Sequence, residues 1–202
     1  MKRLGVLISG RGSNFLAIAD AIDTGRLSAE IAVVISNRES APGLQAARER
    51  SLIAVSLPSK GLDRTVYDQL LIEEFKRNRV DLVCLAGYLR LLSSEFIQAF
   101  PQRILNIHPS LLPAFPGLDA QHQALAHGVK ITGCTVHFVD EQLDSGPIIL
   151  QSAVPVLDDD MDESLSARIL EYEHRIYSEA IGIVASGAYR IAGRRVIRRL
   201  AP

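Results

Sequence analysis

The stretch LGVLISGRGSNFLAIADAI, residues 4–22, decides the fold class of this chain. It opens with an apolar run that Ser9 and Gly10 close, which is typical of a strand buried on both faces of a parallel sheet. From Ser13 onward, apolar residues recur at intervals of three and four positions, which predicts an amphipathic helix that ends near Gly25. A strand, a glycine-containing loop and a helix in this order form the first part of a βαβ unit.

The loop in this stretch, SGRGSN at residues 9–14, suits the binding of an anion. Glycine lets a backbone approach a ligand closely, and we expect Ser13 or Asn14 to cap the helix. Free N–H groups at the start of a helix attract negative charge. Phe15 stands where a complete dinucleotide motif has its third glycine, so a phosphate site and a plain tight turn both stay open.

Strands and helices alternate over the first half of the chain. The same reasoning predicts strands at residues 30–35, 53–57 and 81–86 and helices at residues 41–51 and 62–78. The helix at residues 62–78 is predicted to have an apolar stripe that comprises Val66, Leu70, Leu71 and Phe75. This alternation predicts an α/β fold with a Rossmann-like, mostly parallel twisted sheet flanked by helices. Ligands of such sheets bind beyond the carboxyl ends of the strands, where we expect Gly12, residues 88–92 and His108.

The second half follows a different pattern. After a short helix at residues 119–127, two long strands are predicted at residues 130–140 and 148–156. Their connection is too short for a crossover helix, so we expect antiparallel strands in the C-terminal half. Asp144 lies in this connection and by itself is typical of a turn. The arginine-rich tail after residue 187 predicts a solvated edge strand.

Composition limits the class of protein. The chain has 202 residues, of which 48% are hydrophobic and 22% charged, as expected for one globular domain over 1–202 with halves 1–100 and 101–202. A net charge of -1 provides no basic field for a nucleic acid or an anionic membrane. The apolar run after Met1 is too short for a signal peptide, so we expect a cytoplasmic protein. Cys84 and Cys134 lie in apolar runs and are interpreted as buried thiols.

Two polar side chains share one face in the segment ILNIHPSLLPAFP, residues 104–116. If its start is a strand, Asn106 and His108 project to the same side because side chains alternate between faces. The prolines that follow remove ladder donors, so the chain leaves the sheet as a stiff loop. Loops at strand ends often carry function, but a solvated face of a half-buried strand gives the same pattern.

A long helix is predicted near the C-terminus, and it has a carboxylate at a position where an apolar side chain is expected. Its apolar stripe is predicted to comprise Leu165, Ile169, Tyr172, Ile176, Ala180 and Ile183. Glu173 lies about 40° of arc from Ile169, within or beside this stripe, so it needs a buried partner such as an arginine or a ligand hydroxyl. The aspartates at residues 158–162 before the helix indicate favourable charge at a helix start rather than a metal site.

Several segments together resemble the folate-dependent formyltransferases. The resemblance is carried by SGRGSN at 9–14, LAGYLRLLS at 85–93, NIHPSLLPAFPG at 106–117, GCTVHFVDEQLDSGPII at 133–149 and EH at 173 and 174. It implies transfer of a formyl group from 10-formyltetrahydrofolate, as co-substrate, to the primary amine of glycinamide ribonucleotide in purine synthesis. We expect small-molecule substrates only, with no nucleic acid, membrane or metal, and the oligomeric state, monomer or homodimer, stays open.

The resemblance implies that Asn106, His108 and Asp144 are the catalytic residues. Attack of the amine on the formyl carbon gives a tetrahedral species whose oxygen becomes negative, and an amide and a protonated imidazole would stabilise that charge. Asp144 would keep the imidazole charged and assist proton transfer. Thr135 and His137 share a strand face that would border this site, with structural packing as the equal alternative.

Binding roles are also implied by the resemblance. The phosphate and ribose of the substrate would be held by Gly12, Ser13, Asn14 and Glu173. The folate would contact Arg64, Arg90, Leu92, Val139, Asp140 and Leu143. Two residues depart from the family pattern, Asp119 where histidine is common and Leu170 where a longer polar or basic side chain is common; both affect the expected substrate affinity.

Three other functions share parts of these features. A formyltetrahydrofolate hydrolase has the same catalytic residues and uses water as acceptor, but an additional N-terminal regulatory domain is expected. A methionyl-tRNA formyltransferase should carry a basic C-terminal domain. A non-catalytic nucleotide-binding α/β module would need the anion loop but not three convergent catalytic side chains.

Overall fold

The computed structural model describes residues 1–199, which form two compact units: the first is Met1–Leu105, and the second begins at Asn106. Within the described part, no helix is both long enough and apolar enough to cross a membrane.

The first unit is built from parallel strands and helices in alternation. Its strands are β1 (Lys2–Ile8), β2 (Ala29–Ser36), β3 (Ala54–Ser56), β4 (Leu82–Leu85) and the start of β5 (Ile104–His108), and its helices are α1 (Ser13–Asp23), α2 (Pro42–Glu49), α3 (Arg64–Arg77) and α4 (Ser94–Ala99). Four of these strands lie in the order β3-β2-β1-β4, and each neighbouring pair is parallel. The predicted Rossmann-like α/β architecture is confirmed, whereas α4 was not predicted.

The strand order produces a topological switch point in the first unit. The chain moves outward from β1 through β2 to β3 and then returns to the other side of β1 as β4. Loops after the strands on the two sides of such a switch point diverge and leave an open crevice. The loops after β1 and β4, at residues 9–12 and 86–93, follow the strands at this switch point, and Ser9 N–H donates to the carbonyl of Gly87 at 3.1 Å.

The packing of α3 on β1 differs from the packing that the predicted apolar stripe of this helix implies. A Cβ at Gly5 would lie 2.6 Å from the ring of Phe75, so this glycine allows the helix to approach the strand backbone. Tyr67, Leu71 and Phe75 are fully buried. The predicted stripe through Val66 and Leu70 is wrong at those two positions, which are 56% and 40% exposed, because Tyr67 and Asp68 occupy the inner face instead.

The second unit contains the antiparallel strands that the sequence predicts. After the end of β5 it comprises α5 (Ala120–Ala126), β6 (Ile131–Phe138), β7 (Ile148–Pro155), α6 (Asp162–Ser186), β8 (Tyr189–Ala192) and β9 (Arg195–Arg198). Strands β6 and β7 pair antiparallel, and the predicted strand end at residue 140 is two residues too far. The tail forms a β8–β9 hairpin rather than one edge strand, and β9 pairs with β7.

Glu173 lies on the buried side of α6, as its position in the sequence predicts. It is 7% exposed, and its neighbours on the helix are the buried Ile169, Ile176 and Tyr177. The predicted stripe is wrong at Tyr172 and Ile183, which are half-buried, because the inner face runs through Tyr177 and Ile181.

Candidate active site

The second unit brings a histidine and a carboxylate from distant parts of the chain together. His108 is the last residue of β5, and Asp144 lies in the loop between β6 and β7. The imidazole Nδ1 is 3.4 Å from Asp144 Oδ2, and the two side chains are only 6% and 9% exposed. A charge contact in such a buried position is weakly screened by solvent.

Backbone groups fix Asp144 in this position. Its Oδ2 accepts a hydrogen bond from Gly117 N–H at 2.8 Å, and its own backbone has φ 49°, in the left-handed region. Two residues further on, a Cβ at Gly146 would lie 1.8 Å from the carbonyl oxygen of Phe138, so only glycine fits there. The loop geometry therefore aims the carboxylate.

Both ring nitrogens of His108 face oxygen atoms. Nε2 lies 2.9 Å from the carbonyl oxygen of Phe115, which can only accept, so Nε2 carries a proton. Nδ1 faces the Asp144 carboxylate, which also accepts when ionised. His108 therefore has an acceptor oxygen beside each of its ring nitrogens.

Asn106 contacts a second histidine. Its Nδ2 lies 3.3 Å from His137 Nε2, and His137 Nδ1 lies 2.8 Å from the carbonyl oxygen of Phe138. Since that carbonyl accepts the Nδ1 proton, Nε2 of a neutral His137 accepts from the Asn106 amide. Burial lowers the pKa of His137, which keeps this ring neutral. His137 Nε2 also lies 3.8 Å from Asp144 Oδ1.

Thr135, the other predicted neighbour of the site, contacts the proline loop at residues 109–116 instead. Its hydroxyl accepts from Leu112 N–H at 3.0 Å and donates to the carbonyl of Ser110 at 2.7 Å. Gln151 Nε2 donates to the same hydroxyl and to the carbonyl of Leu112, both at 2.9 Å. Gln151 was missed by sequence reasoning, although it is the β7 partner of Thr135 in the antiparallel register.

Arg194 in the β8–β9 turn is a further residue that the sequence did not single out. Its guanidinium donates to the backbone carbonyl of Ser145 and, at 3.2 Å, to the hydroxyl of the same residue. The arginine-rich tail therefore contacts the residue next to Asp144. Its charge pattern alone predicted only solvation.

The glycine loop of the first unit is held against α2. Gly12 has φ 74° and is the N-cap of α1, without a side-chain cap. The prediction that Ser13 or Asn14 caps the helix is wrong, because Gly12 turns the chain and these two residues already belong to the first helical turn. Gly43 N–H donates to the carbonyl of Gly10 at 3.1 Å, and a Cβ at Gly43 would lie 2.5 Å from Ile8.

The predicted folate-contacting residues occur in both units. In the first unit, Arg64 is the first residue of α3, and the Arg90 guanidinium lies over the Tyr67 ring, 4.8 Å from its centroid. Leu92 is half-buried. In the second unit, Val139 and Asp140 begin the loop after β6 and are half-buried, whereas Leu143 is 57% exposed.

The two departures from the family pattern also lie in the second unit. Asp119 is the exposed N-cap of α5 with φ 55°, and Leu170 is half-buried on α6. Among residues 1–199, no group of three or more histidine, cysteine, aspartate or glutamate side chains is arranged to hold a metal ion.

Comparison with known proteins defines the class. The sequence pattern of the formyl transferase family matches residues 2–181. The chain therefore belongs to the formyl transferase family.

Its relatives within this family carry more specific names. The chain is 43% identical to phosphoribosylglycinamide formyltransferase of Escherichia coli (strain K12) over 187 residues, which cover 92% of this chain and 88% of that protein. It is similar to the crystal structure of glycinamide ribonucleotide transformylase 1 from Symbiobacterium toebii, with a TM-score of 0.96, 56% identity, and coverage of 98% of this chain and 94% of that one.

A longer protein also contains a matching segment. The chain is 46% identical over 194 residues, 95% of its length, to the trifunctional purine biosynthetic protein adenosine-3 of Drosophila melanogaster. It spans only 14% of the length of that relative.

Proposed function

We propose that this protein catalyses the formylation of glycinamide ribonucleotide in purine synthesis, with 10-formyltetrahydrofolate as the formyl donor. The observation that carries the proposal is the buried contact of His108 Nδ1 with Asp144 Oδ2 at 3.4 Å, with Asn106 on the same face of β5. The names of the relatives support the acceptor and the reaction.

The amine of the substrate attacks the formyl carbon, and its electron pair forms the new C–N bond. The carbonyl oxygen becomes negative, and the bond from carbon to the folate nitrogen N10 then breaks. The amine loses one proton, and N10 gains one. No covalent bond to the protein is needed, so the enzyme acts by placing charges and donors.

Asn106 and His108 would stabilise the negative oxygen. Asn106 uses one amide N–H on His137 and has a second for the substrate. His108 Nε2 is engaged with the carbonyl of Phe115, so it would exchange this partner for the substrate oxygen on binding. Asp144 would hold the imidazole in its charged form throughout and relay the proton of the amine.

Substrate binding would use groups described in each unit. In the first unit, the N–H groups at the start of α1, with Ser13 and Asn14, would bind the phosphate. In the second unit, Glu173 would accept hydrogen bonds from the ribose hydroxyls. Arg64, Arg90, Leu92, Val139, Asp140 and Leu143 would contact the folate.

The test supplies 10-formyltetrahydrofolate with and without glycinamide ribonucleotide and follows tetrahydrofolate release together with formylation of the amine. We expect release only when the amine is present, with one formyl group transferred per tetrahydrofolate. Release at equal rates without the amine would identify a hydrolase instead. Binding of the ribonucleotide without any turnover would favour a non-catalytic module.

A further inference from the structure

The β4–α4 loop, residues 86–93, contains two of the proposed folate contacts and is anchored near its start. Leu89 N–H donates to the hydroxyl of Ser9 at 2.9 Å, and that hydroxyl donates to Asn37 Oδ1 at 2.7 Å. Between this anchor and the end of the loop, Leu89 and Leu91 are 60% and 59% exposed. The side chains of Leu89 and Leu91 therefore contribute little to holding this loop in place.

The other end of the loop is anchored by a buried carboxylate. Asp68 on α3 is fully buried, and its Oδ2 accepts a hydrogen bond from Ser93 N–H at 2.5 Å. Ser93 is the N-cap of α4, where its hydroxyl accepts from Phe96 N–H at 3.3 Å. The Asp68 contact therefore fixes the point where the loop ends and the helix begins.

Burying the Asp68 carboxylate at this position costs folding free energy, which argues for a specific role of this residue. Burial raises the pKa of Asp68, while the hydrogen bond from Ser93 and the positive charges of Arg90 and Arg64 act in the opposite direction. Its Oδ1 has no hydrogen-bond partner among residues 1–199. A hydrophobic side chain would fill this space on α3 without that penalty.

Arg90, between the two anchors of this loop, is held by the residue next to Asp68 on α3. Its guanidinium stacks over the ring of Tyr67, the residue before Asp68, and the hydroxyl of Tyr67 donates to the carbonyl of Leu57 at 2.9 Å. Arg90 is thus positioned by an aromatic ring that is itself fixed, and its positive charge attracts the Asp68 carboxylate.

We propose that Asp68 is a positioning residue for the folate co-substrate: by holding Ser93 N–H and attracting Arg90, it keeps residues 90–92 in the conformation that binds folate. Asp68 itself need not touch the ligand. This inference rests on the proposed function, because it assigns residues 90–92 to folate binding.

The experiment compares Asp68→Ala, Asp68→Asn and Ile72→Val with the unchanged protein. Asp68→Ala removes the acceptor and the charge, whereas Asp68→Asn keeps an acceptor oxygen and removes only the charge. Ile72 is a buried apolar residue one turn further along α3, so Ile72→Val is a control for altered packing. The KM for each substrate, kcat and Tm are measured for all four.

We expect Asp68→Ala to raise the KM for 10-formyltetrahydrofolate about tenfold, and Asp68→Asn about threefold, because each tenfold step corresponds to ~1.4 kcal/mol of binding. The KM for glycinamide ribonucleotide and kcat should change less than about twofold, since the loop is released without loss of the catalytic residues. Ile72→Val should lower Tm without changing the ratio of the two KM values.

Three results would overturn the proposal: an unchanged folate KM in Asp68→Ala, an equal rise in both KM values, or failure of both Asp68 variants to fold, which would make the residue purely structural. Absence of amine-dependent turnover in the unchanged protein is a separate result. It would refute the proposed function, and with it the folate role of the loop.

Discussion

At the scale of single residues, the buried contact between His108 and Asp144 is the main feature of the second unit. The ring has an oxygen atom at each nitrogen, and the carboxylate receives a backbone N–H from Gly117 on the oxygen that faces the ring. His137 lies beside them as a neutral ring that accepts from Asn106. The two histidines therefore differ in their contacts: His108 faces an oxygen atom at each ring nitrogen, whereas His137 Nε2 accepts from the Asn106 amide.

The first prediction concerns the charge on Asp144. Asp144→Asn keeps the size of the side chain but removes the negative charge next to His108, so kcat should fall on the order of 10²-fold or more. Steady-state turnover of 10-formyltetrahydrofolate with saturating glycinamide ribonucleotide measures this. Glu141→Gln, a charge loss at an exposed position of the same loop, is the control. Unchanged turnover in Asp144→Asn would contradict the assigned role.

The second prediction concerns the buried His137. Burial lowers its pKa below the ordinary value of 6.5, so the unfolded chain binds a proton on this ring that the folded protein does not. Its contribution to stability is therefore present above pH 6.5 and is lost as pH falls below that value, by up to ~1.4 kcal/mol per pH unit.

Urea unfolding at pH 7.5 and pH 5.5 tests this. The free energy of unfolding should fall less between the two pH values in His137→Gln than in the unchanged protein. His127→Gln, at an exposed position of the same unit, should behave like the unchanged protein. Identical pH dependence in all three would show that the His137 ring is not kept neutral.

At the scale of elements, the conformation of the β6–β7 loop depends on Gly146 and on contacts with the β8–β9 hairpin. A Cβ at Gly146 would lie 1.8 Å from the carbonyl oxygen of Phe138, so the loop and the end of β6 are in direct backbone contact. On its outer side, Arg194 of the β8–β9 turn donates to Ser145. Asp144 is therefore carried by a segment whose path is set by neighbouring backbone.

The third prediction follows from that contact. Gly146→Ala cannot be accommodated unless the backbone of the loop or of β6 moves, so the free energy of unfolding should fall by about 2–3 kcal/mol and kcat should fall with it. Ser145→Ala, one residue earlier, should change stability by less than about 0.5 kcal/mol. Urea unfolding and turnover are measured on both. Equal stability of the two variants would show that the loop tolerates a side chain at residue 146.

At the scale of the whole molecule, the family match and the structure cover different lengths. The family pattern ends at residue 181, within α6, and the β8–β9 hairpin lies beyond it. Yet this hairpin pairs with β7 and contacts the loop of Asp144. Residues outside the family pattern therefore support a candidate catalytic residue.

Local patterns determined much of this protein. Uninterrupted apolar runs and helical periodicity were enough to predict the parallel strands of the first unit and the antiparallel pair of the second, because burial on one or both faces leaves a regular signal. Strand alternation placed Asn106 and His108 together, and position on a helix placed Glu173 on a buried face. The predicted catalytic role of Asp144 came from the family resemblance, because the turn sequence around it indicates only a turn.

Only the tertiary structure decided the partners of these residues. The inward face of α3 at Tyr67 and Asp68 and the contacts of Thr135, Gln151 and Arg194 depend on groups far apart in sequence. A hydrogen bond at these positions requires that a donor and an acceptor from different segments lie about 3 Å apart. The order of residues along the chain does not specify which segments come that close.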